Sequence, residues 1–414
     1  MTGNMNETPM SSRFTIGLFG RRNAGKSSLI NALTGQQIAV TSEIAGTTTD
    51  PVYKTMELLP IGPVVFIDTA GLDDEGDLGM LRIEKTYEVL RKCNLAIIVA
   101  DVKEGITSFE TDFIDQLIRR KIPCICVLNK CDEGDYSNAL SQGRKYARIP
   151  TVCCSAVHGS GIDNVKKLIV ANSNFEDAEP ALVGDLIHAG NIAVLVTPID
   201  KAAPKGRLIL PQQQTIRDII ESDAIAVITK EHELKLTLER LKEPPAIVIT
   251  DSQAFLKVSA DTPPQIPLTS FSILFARQKS DLAEMVRGIR RMERLSPGDK
   301  VLIVEGCTHH RQADDIGKVK IPRWIRQIAG GDIQFEFASG AFYPKDIASY
   351  SVIVHCGGCM LGRREMQYRV ELAREKGVAI TNYGMLIAYV QGILPRALEP
   401  FPAAKLALEE TVSV

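Results

Sequence analysis

Gly20-Arg21-Arg22-Asn23-Ala24-Gly25-Lys26-Ser27 decides the fold of the first part of this 414-residue chain. The octet fits G-x-x-x-x-G-K-S. It stands between a strand-like run, Phe14–Phe19, and a helical pattern that starts at Ser27. Glycines let backbone N–H groups wrap phosphates, and the helix N-terminus adds partial positive charge. Lys26 is placed to neutralise β- and γ-phosphates, and Ser27 to offer its hydroxyl to Mg²⁺. Arg21 and Arg22 fill variable positions, within reach of phosphate or facing solvent.

Alone, this motif fits any P-loop nucleotide hydrolase; four further motifs narrow it to guanine nucleotides. Asp68-Thr-Ala-Gly71 follows the strand-like run Val64–Ile67, so Asp68 is expected to hold Mg²⁺ through water and the Gly71 N–H to sense the γ-phosphate. Gly46-Thr-Thr48-Thr-Asp50 supplies a switch threonine, Thr48, as a further Mg²⁺ ligand. Asn129-Lys130-Cys131-Asp132 ends a strand, and its Asp132 carboxylate accepts from guanine N1 and N2, which adenine cannot match. Cys154-Ser155-Ala156 offers a backbone N–H to guanine O6. The expected contacts to GTP or GDP are therefore Gly20, Asn23, Ala24, Gly25, Lys26, Ser27 and Ser28 at the phosphates. Asn129, Lys130, Asp132, Ser155 and Ala156 surround the base. Lys26, Thr48, Asp68 and Gly71 are the expected catalytic set, which the resemblance given below extends to Asn23.

Further strand-like runs at Leu95–Ala100, Cys124–Asn129 and Thr151–Cys153 alternate with helical stretches such as Ser108–Arg119 and Val165–Ala171. Alternation of this kind predicts a mostly parallel, doubly wound sheet. The polar segment Asn172–Pro180 reads as a linker. A small α/β unit follows, with strands at Ile192–Thr197, Ala224–Thr229 and Ala246–Thr250 and helices near Thr215–Glu221 and Glu233–Leu241. Asp261-Thr-Pro-Pro264 marks its end. A third, Rossmann-like unit is predicted with strands at Ile273–Phe275, Val301–Glu305, Ile333–Phe337, Ser351–His355 and Ala379–Thr381. Its helices are expected at Asp281–Arg294, Arg363–Lys376 and Met385–Gln391. The prediction is three α/β domains, 13–172, 181–262 and 265–414, behind a disordered tail, 1–12.

Apolar residues make up 45% and charged residues 24%, and the net charge is −2, so the balance favours neither nucleic acid nor an anionic membrane. No apolar run approaches the roughly 20 residues of a membrane span. Met1–Ser12 lacks the apolar core of a signal peptide, and the expectation is a cytoplasmic protein. The basic run Arg287–Arg294 reads as one solvated helix face.

The nine cysteines are expected to be reduced. Cys93, Cys124, Cys126, Cys131, Cys153 and Cys154 read as buried small side chains beside the nucleotide-binding strands. Cys307, in Cys307-Thr-His309-His310, follows one predicted strand; Cys356-Gly-Gly-Cys359 follows another. All three thiolates thus stand beyond the carboxyl ends of two strands, where open α/β sheets place ligands. Three soft thiolates suit a [4Fe-4S] cluster with one iron left for a weaker ligand. His309 is the first candidate for that position and His355 the second. A structural Cys₃His zinc site and three buried thiols are the competing readings.

The nucleotide-binding region resembles the potassium-activated GTPases related to MnmE. Asn23 matches their P-loop asparagine, and Leu72 stands where Ras-like proteins carry a water-orienting Gln. The resemblance implies that K⁺, held by Asn23, assists hydrolysis and that turnover without it is slow. The combination with Cys307, His309, His355, Cys356 and Cys359 resembles the HydF family of [FeFe]-hydrogenase maturation GTPases, from about Arg13 onward. Thr197–Gln212 and Phe275–Leu282 also look like that family. The resemblance implies GTPase, dimerisation and cluster-binding domains, and a homodimer. It also implies delivery of a two-iron subcluster precursor to apo-[FeFe]-hydrogenase, with the radical-SAM maturases HydE and HydG as further partners.

The alternative is a potassium-activated GTPase of tRNA modification or ribosome assembly with a structural or redox metal. No dense basic patch with interleaved aromatics supports RNA binding. No Cys-x₃-Cys-x₂-Cys signature supports a radical-SAM enzyme.

Overall fold

Phe14–Phe19 forms the first strand, β1, and buries Ile16, Leu18 and Phe19 completely. At about 1.5–3 kcal/mol for each large apolar side chain removed from water, such strands supply the core. The computed structural model describes residues 12–35, 52–69, 77–133, 149–173, 180–198, 208–306, 315–340, 343–344 and 346–410, with backbone alone at 77–84. Thr48, Gly71, Cys307, His309, His310, the tail 1–11 and most of the Asn172–Pro180 linker lie outside the described residues. The chain divides into two compact units, Met1–Ala178 and Glu179–Val414.

The first unit is a six-stranded sheet. Its strands are β1, β2 (Val52–Leu58), β3 (Gly62–Asp68), β4 (Leu95–Asp101), β5 (Cys124–Asn129) and β6 (Thr151–Cys153), in the order β2-β3-β1-β4-β5-β6. Only β2 is antiparallel, against β3. Helices Lys26–Thr34, Ser108–Arg119 and Ile162–Asn172 pack on it. Of the six cysteines expected to be buried here, Cys93, Cys124, Cys126 and Cys154 are; Cys131 and Cys153 are only half-buried, at the strand ends where the base-binding loops begin.

The second unit holds two parallel four-stranded sheets. One contains β7 (Ile192–Val196), β8 (Ile225–Thr229), β9 (Ile247–Thr250) and β10 (Leu268–Ser270), in the order β10-β9-β7-β8. The other contains β11 (Lys300–Glu305), β12 (Gln334–Ser339), β13 (Val352–His355) and β14 (Ala379–Asn382), in the order β12-β11-β13-β14. One continuous apolar core runs through both, from Leu182 to Ala407.

Two expectations are corrected here. Ile273–Phe275 is not a strand but part of the helix Phe271–Lys279. Ser270 caps that helix, its hydroxyl accepting from the Ile273 N–H at 3.3 Å, so the chain turns helical directly after β10. The Asp261–Pro264 boundary also falls too early, because β10 joins β9 as the edge of the middle sheet. No helix among the described residues is long and apolar enough to cross a membrane.

Candidate nucleotide site and metal centre

In the first sheet the strand order reverses at β1, with β3 on one side and β4 on the other. Such a switch point opens a crevice beyond the strand ends, and the Gly20–Ser27 loop stands there. Gly25 caps helix Lys26–Thr34 with φ 88°. A Cβ at Gly25 would lie 2.2 Å from Asn129 Nδ2, so only glycine fits. The Asn129 amide donates to Ala24 O at 3.1 Å, and its Oδ1 accepts from the Ala156 N–H at 3.0 Å. Asn129 thus ties the phosphate loop to the base loop with both ends of its side chain, a bridging role that the sequence motif alone does not reveal.

Asp132 stays open to the base. A hydrogen bond from the Ser155 hydroxyl holds its carboxyl below the ordinary range, and His158 Nε2 lies 3.4 Å away. Lys130, at φ 65°, bonds Asp101 Oδ2 at 2.8 Å. Lys26 is nearly buried and donates to Gly20 O at 3.0 Å and Arg21 O at 2.8 Å. Arg21 turns away from the phosphate side to Glu110 and Glu104, both at 2.9 Å. Glu110 also accepts from the Thr107 N–H and hydroxyl, so this loop is anchored to the start of the helix Ser108–Arg119.

Ser27 Oγ donates to Asp68 Oδ2 at 2.5 Å, while Asp68 Oδ1 is buried without a hydrogen-bond partner. Burial pushes the Asp68 carboxyl up, against the pull of Ser27 and Lys26. A buried, unsatisfied carboxylate oxygen beside a hydroxyl fits a hard divalent cation.

The third sheet has its own reversal, at β11, with β12 on one side and β13 on the other. β11 runs into Gly306 and then Cys307; β13 runs into Cys356. The Gly306 N–H donates to Cys356 Sγ at 3.0 Å, and the Gly358 N–H reaches the same sulfur at 3.4 Å. The two strand ends that carry the predicted thiolates therefore meet. Burial pushes both thiols up; the two N–H bonds oppose it at Cys356, and the Lys279 charge opposes it at Cys359. N–H donors aimed at a desolvated sulfur favour the thiolate, which suits a soft metal ion or cluster. Among the described residues no three His, Cys, Asp or Glu side chains are grouped for a metal.

His355 is not available as the fourth ligand. It is fully buried, its Nδ1 lies 2.7 Å from Cys356 O, and its Nε2 lies 3.0 Å from Arg369 Nη1. Arginine can only donate, so Nε2 must accept and Nδ1 carries the proton. Burial, then the Arg369 charge, lower its pKa to about 3. Arg369 itself is fully buried, bonds Glu365 at 2.9 Å and stacks 4.9 Å over the Tyr343 ring. Both ring nitrogens of His355 are thus engaged, one by the Cys356 carbonyl and the other by Arg369.

Lys279 is the site residue that motif reading missed. Its ammonium donates to Gly358 O at 2.9 Å, Cys359 O at 3.2 Å and Leu361 O at 2.7 Å. Its signal in the sequence is its place in the family-like run Phe275–Leu282, at the end of the helix Phe271–Lys279, and that run gives the lysine no role.

Three family models match the chain in succession. Residues 15–130 match the 50S ribosome-binding GTPase model. Residues 182–280 match the hydrogen maturase F dimerization domain, and residues 283–400 the hydrogen maturase F tetramerization domain. The tRNA modification GTPase MnmE of Chromobacterium violaceum is 34% identical over 163 residues, 39% of this chain and 35% of that protein. GTPase Der of Sulfurimonas denitrificans is 34% identical over 167 residues, 37% of this chain and 33% of that protein. The chain spans about a third of the length of these curated relatives. Those relatives cover 37–39% of this chain, whereas 182–280 and 283–400, with Lys279 and both Cys356 and Cys359, are matched by two successive models of a single family. The chain belongs to the hydrogen maturase F family.

Proposed function

We propose that the chain is a GTP-hydrolysing scaffold of [FeFe]-hydrogenase maturation. It would hold a [4Fe-4S] cluster on Cys307, Cys356 and Cys359, with His309 as the candidate fourth ligand, and deliver a two-iron precursor to apo-hydrogenase. The observation that carries this reading is the Gly306 N–H bond to Cys356 Sγ at 3.0 Å, which joins the ends of β11 and β13. Its partners would be a second copy of the chain, HydE, HydG and apo-[FeFe]-hydrogenase. Residues 13–172 would form the GTPase domain, the β7–β10 sheet the dimerisation domain, and the β11–β14 sheet the cluster-binding domain.

In this reading Asp132 selects guanine, and the loop between Gly20 and Ser27 wraps the phosphates with its N–H groups. On GTP binding Lys26 exchanges its two carbonyl partners for phosphate oxygens. Ser27, Thr48 and Asp68 would hold Mg²⁺, and Asn23 would help hold K⁺. When bound, these cations neutralise charge that develops on the phosphates during attack by water. Gly71 would sense the γ-phosphate, and its release would reset the switch segments. In the cysteine loop the cluster supplies exchangeable iron coordination; the chain supplies N–H donors to sulfur and the fixed loop conformation.

A second reading, a GTPase of tRNA modification or ribosome assembly with a structural metal, is favoured by the MnmE and Der likenesses alone. Hydrogen evolution separates the two. Protein purified anaerobically from cells that coexpress HydE and HydG is added to apo-hydrogenase. Activation that disappears in Cys356→Ser supports the scaffold; no activation by an iron-loaded, GTPase-competent sample rejects it.

A further inference from the structure

Three arginines of the basic run lie on one face of a helix and a fourth follows in the next turn, and the sheet beneath turns that face into the wall of a cavity. The helix Leu282–Met292 buries Leu282, Met285, Val286, Ile289 and Met292. Gly288 lets it lie close against β14: a Cβ there would fall 2.0 Å from Ile380 O. Arg287, Arg290 and Arg291 fall on the other side, and a turn closed by the Arg294 N–H to Arg291 O at 3.0 Å extends the row to Arg294. The row overhangs the edge where β13 and β14 begin. Lys376, from the turn before β14, adds a fifth cation across the gap.

The resulting concavity has a volume of about 650 Å³. Five cationic side chains line it against the single carboxylate of Glu410, which is already bonded to Arg287 at 3.0 Å. Arg290 meets Glu293 only at 3.9 Å, and its Nε is buried without a hydrogen-bond partner. Like charges three and four residues apart on a helix repel. A chain with a net charge of −2 has no general excess of cations to spend here. Solvation of a helix face accounts for one row of arginines. It does not account for their convergence with Lys376 on a cavity of small-molecule size. Guanidinium forks match phosphate oxygens bidentately.

We propose that this concavity is a binding site for a small molecule that bears two or more phosphate groups. It lies at the opposite end of β13 from Cys356: Ser351 lines the cavity, and four strand residues later the chain enters the cysteine loop. The site is lined by residues of the second unit alone and is distinct from the cysteine loop. The proposal does not depend on the maturation reading.

The test is isothermal titration of the full chain with inorganic tripolyphosphate, in saturating GDP so that the Gly20–Ser27 loop is occupied. One equivalent per chain is expected to bind. The double variant Arg291→Ala/Arg294→Ala, and separately Lys376→Ala on the opposite wall, should each weaken binding by about tenfold or more, as loss of charge-assisted contacts requires. Far-UV circular dichroism and Tm confirm that the variants fold. Absence of binding at millimolar tripolyphosphate, or binding unchanged in both variants, overturns the proposal. Binding of a poly-glutamate peptide while tripolyphosphate stays silent also overturns it, and assigns the face to an acidic protein segment.

Discussion

Lys279 and Gly358 are joined across 79 positions of sequence by an ammonium-to-carbonyl hydrogen bond of 2.9 Å. With its bonds to Cys359 O and Leu361 O, this one nearly buried amine fixes three carbonyls of the cysteine loop. Hydrogen bonds to charged groups contribute about 1.5–3 kcal/mol each, and buried carbonyls left unmatched cost a similar amount. Lys279→Met keeps the side chain's bulk and removes the charge. The expected result is a loss of about 3 kcal/mol in stability and a marked fall in iron and sulfide content after anaerobic reconstitution. Wild-type iron content at wild-type Tm would show that the loop holds its shape without Lys279.

Asn129 is expected to matter by linkage more than by contact. Its amide holds Ala24 and Ala156 together, so Asn129→Ala should free the phosphate loop and the base loop at once. Loss of two buried hydrogen bonds predicts a destabilisation of about 2 kcal/mol and GDP affinity reduced by tenfold or more. A fluorescent GDP analogue measures the second quantity. An unchanged Kd would mean that the two loops hold their positions independently.

Much of this arrangement is legible in the sequence. β1, β5, β6 and the helix Ser108–Arg119 fall where their patterns put them, because apolar runs flanked by capping or turn residues leave little choice. In the structure a Thr107–Glu110 capping box starts that helix. Three things were not legible. The helix at Phe271–Lys279 reads as a strand because its apolar residues are consecutive, as in a buried helix, and carry no 3.6-residue period. His355 reads as a ligand by its place beside Cys356, but sequence adjacency does not say on which side of the sheet a strand's last side chain falls. Lys279 lies in the family-like run Phe275–Leu282, but its role is not legible there, because its partners are backbone carbonyls and any residue at those positions supplies them.

The edge strand β8 predicts where a second copy would bind. Among the described residues it lies at the end of its sheet, beside β7 alone, and Ile225 and Ile228 are 51% and 47% exposed. An apolar edge with unpaired backbone groups is a template for another strand. It lies within the segment matched by a dimerization-domain model. Ile225→Lys/Ile228→Lys should lower the oligomer mass seen in light scattering while Tm stays within a few degrees. An oligomer of unchanged mass in that variant would move the interface elsewhere.

The GTPase should depend on the monovalent cation. Asn23 stands in the phosphate loop at φ 62°, a backbone conformation that L-residues with a short polar side chain tolerate best. Leu72 has no hydrogen-bonding group with which to orient water, so this position leaves charge neutralisation to other groups. A cation held by Asn23 would supply it, and removal of one electrostatic stabiliser in a hydrolytic site commonly costs about 10²–10³ in rate. Replacement of KCl by NaCl at equal ionic strength should therefore lower kcat by tenfold or more, with Asn23→Ala insensitive to the exchange. Equal rates in the two salts for the unmodified chain would remove K⁺ from the mechanism and leave Lys26 and Mg²⁺ to carry the charge.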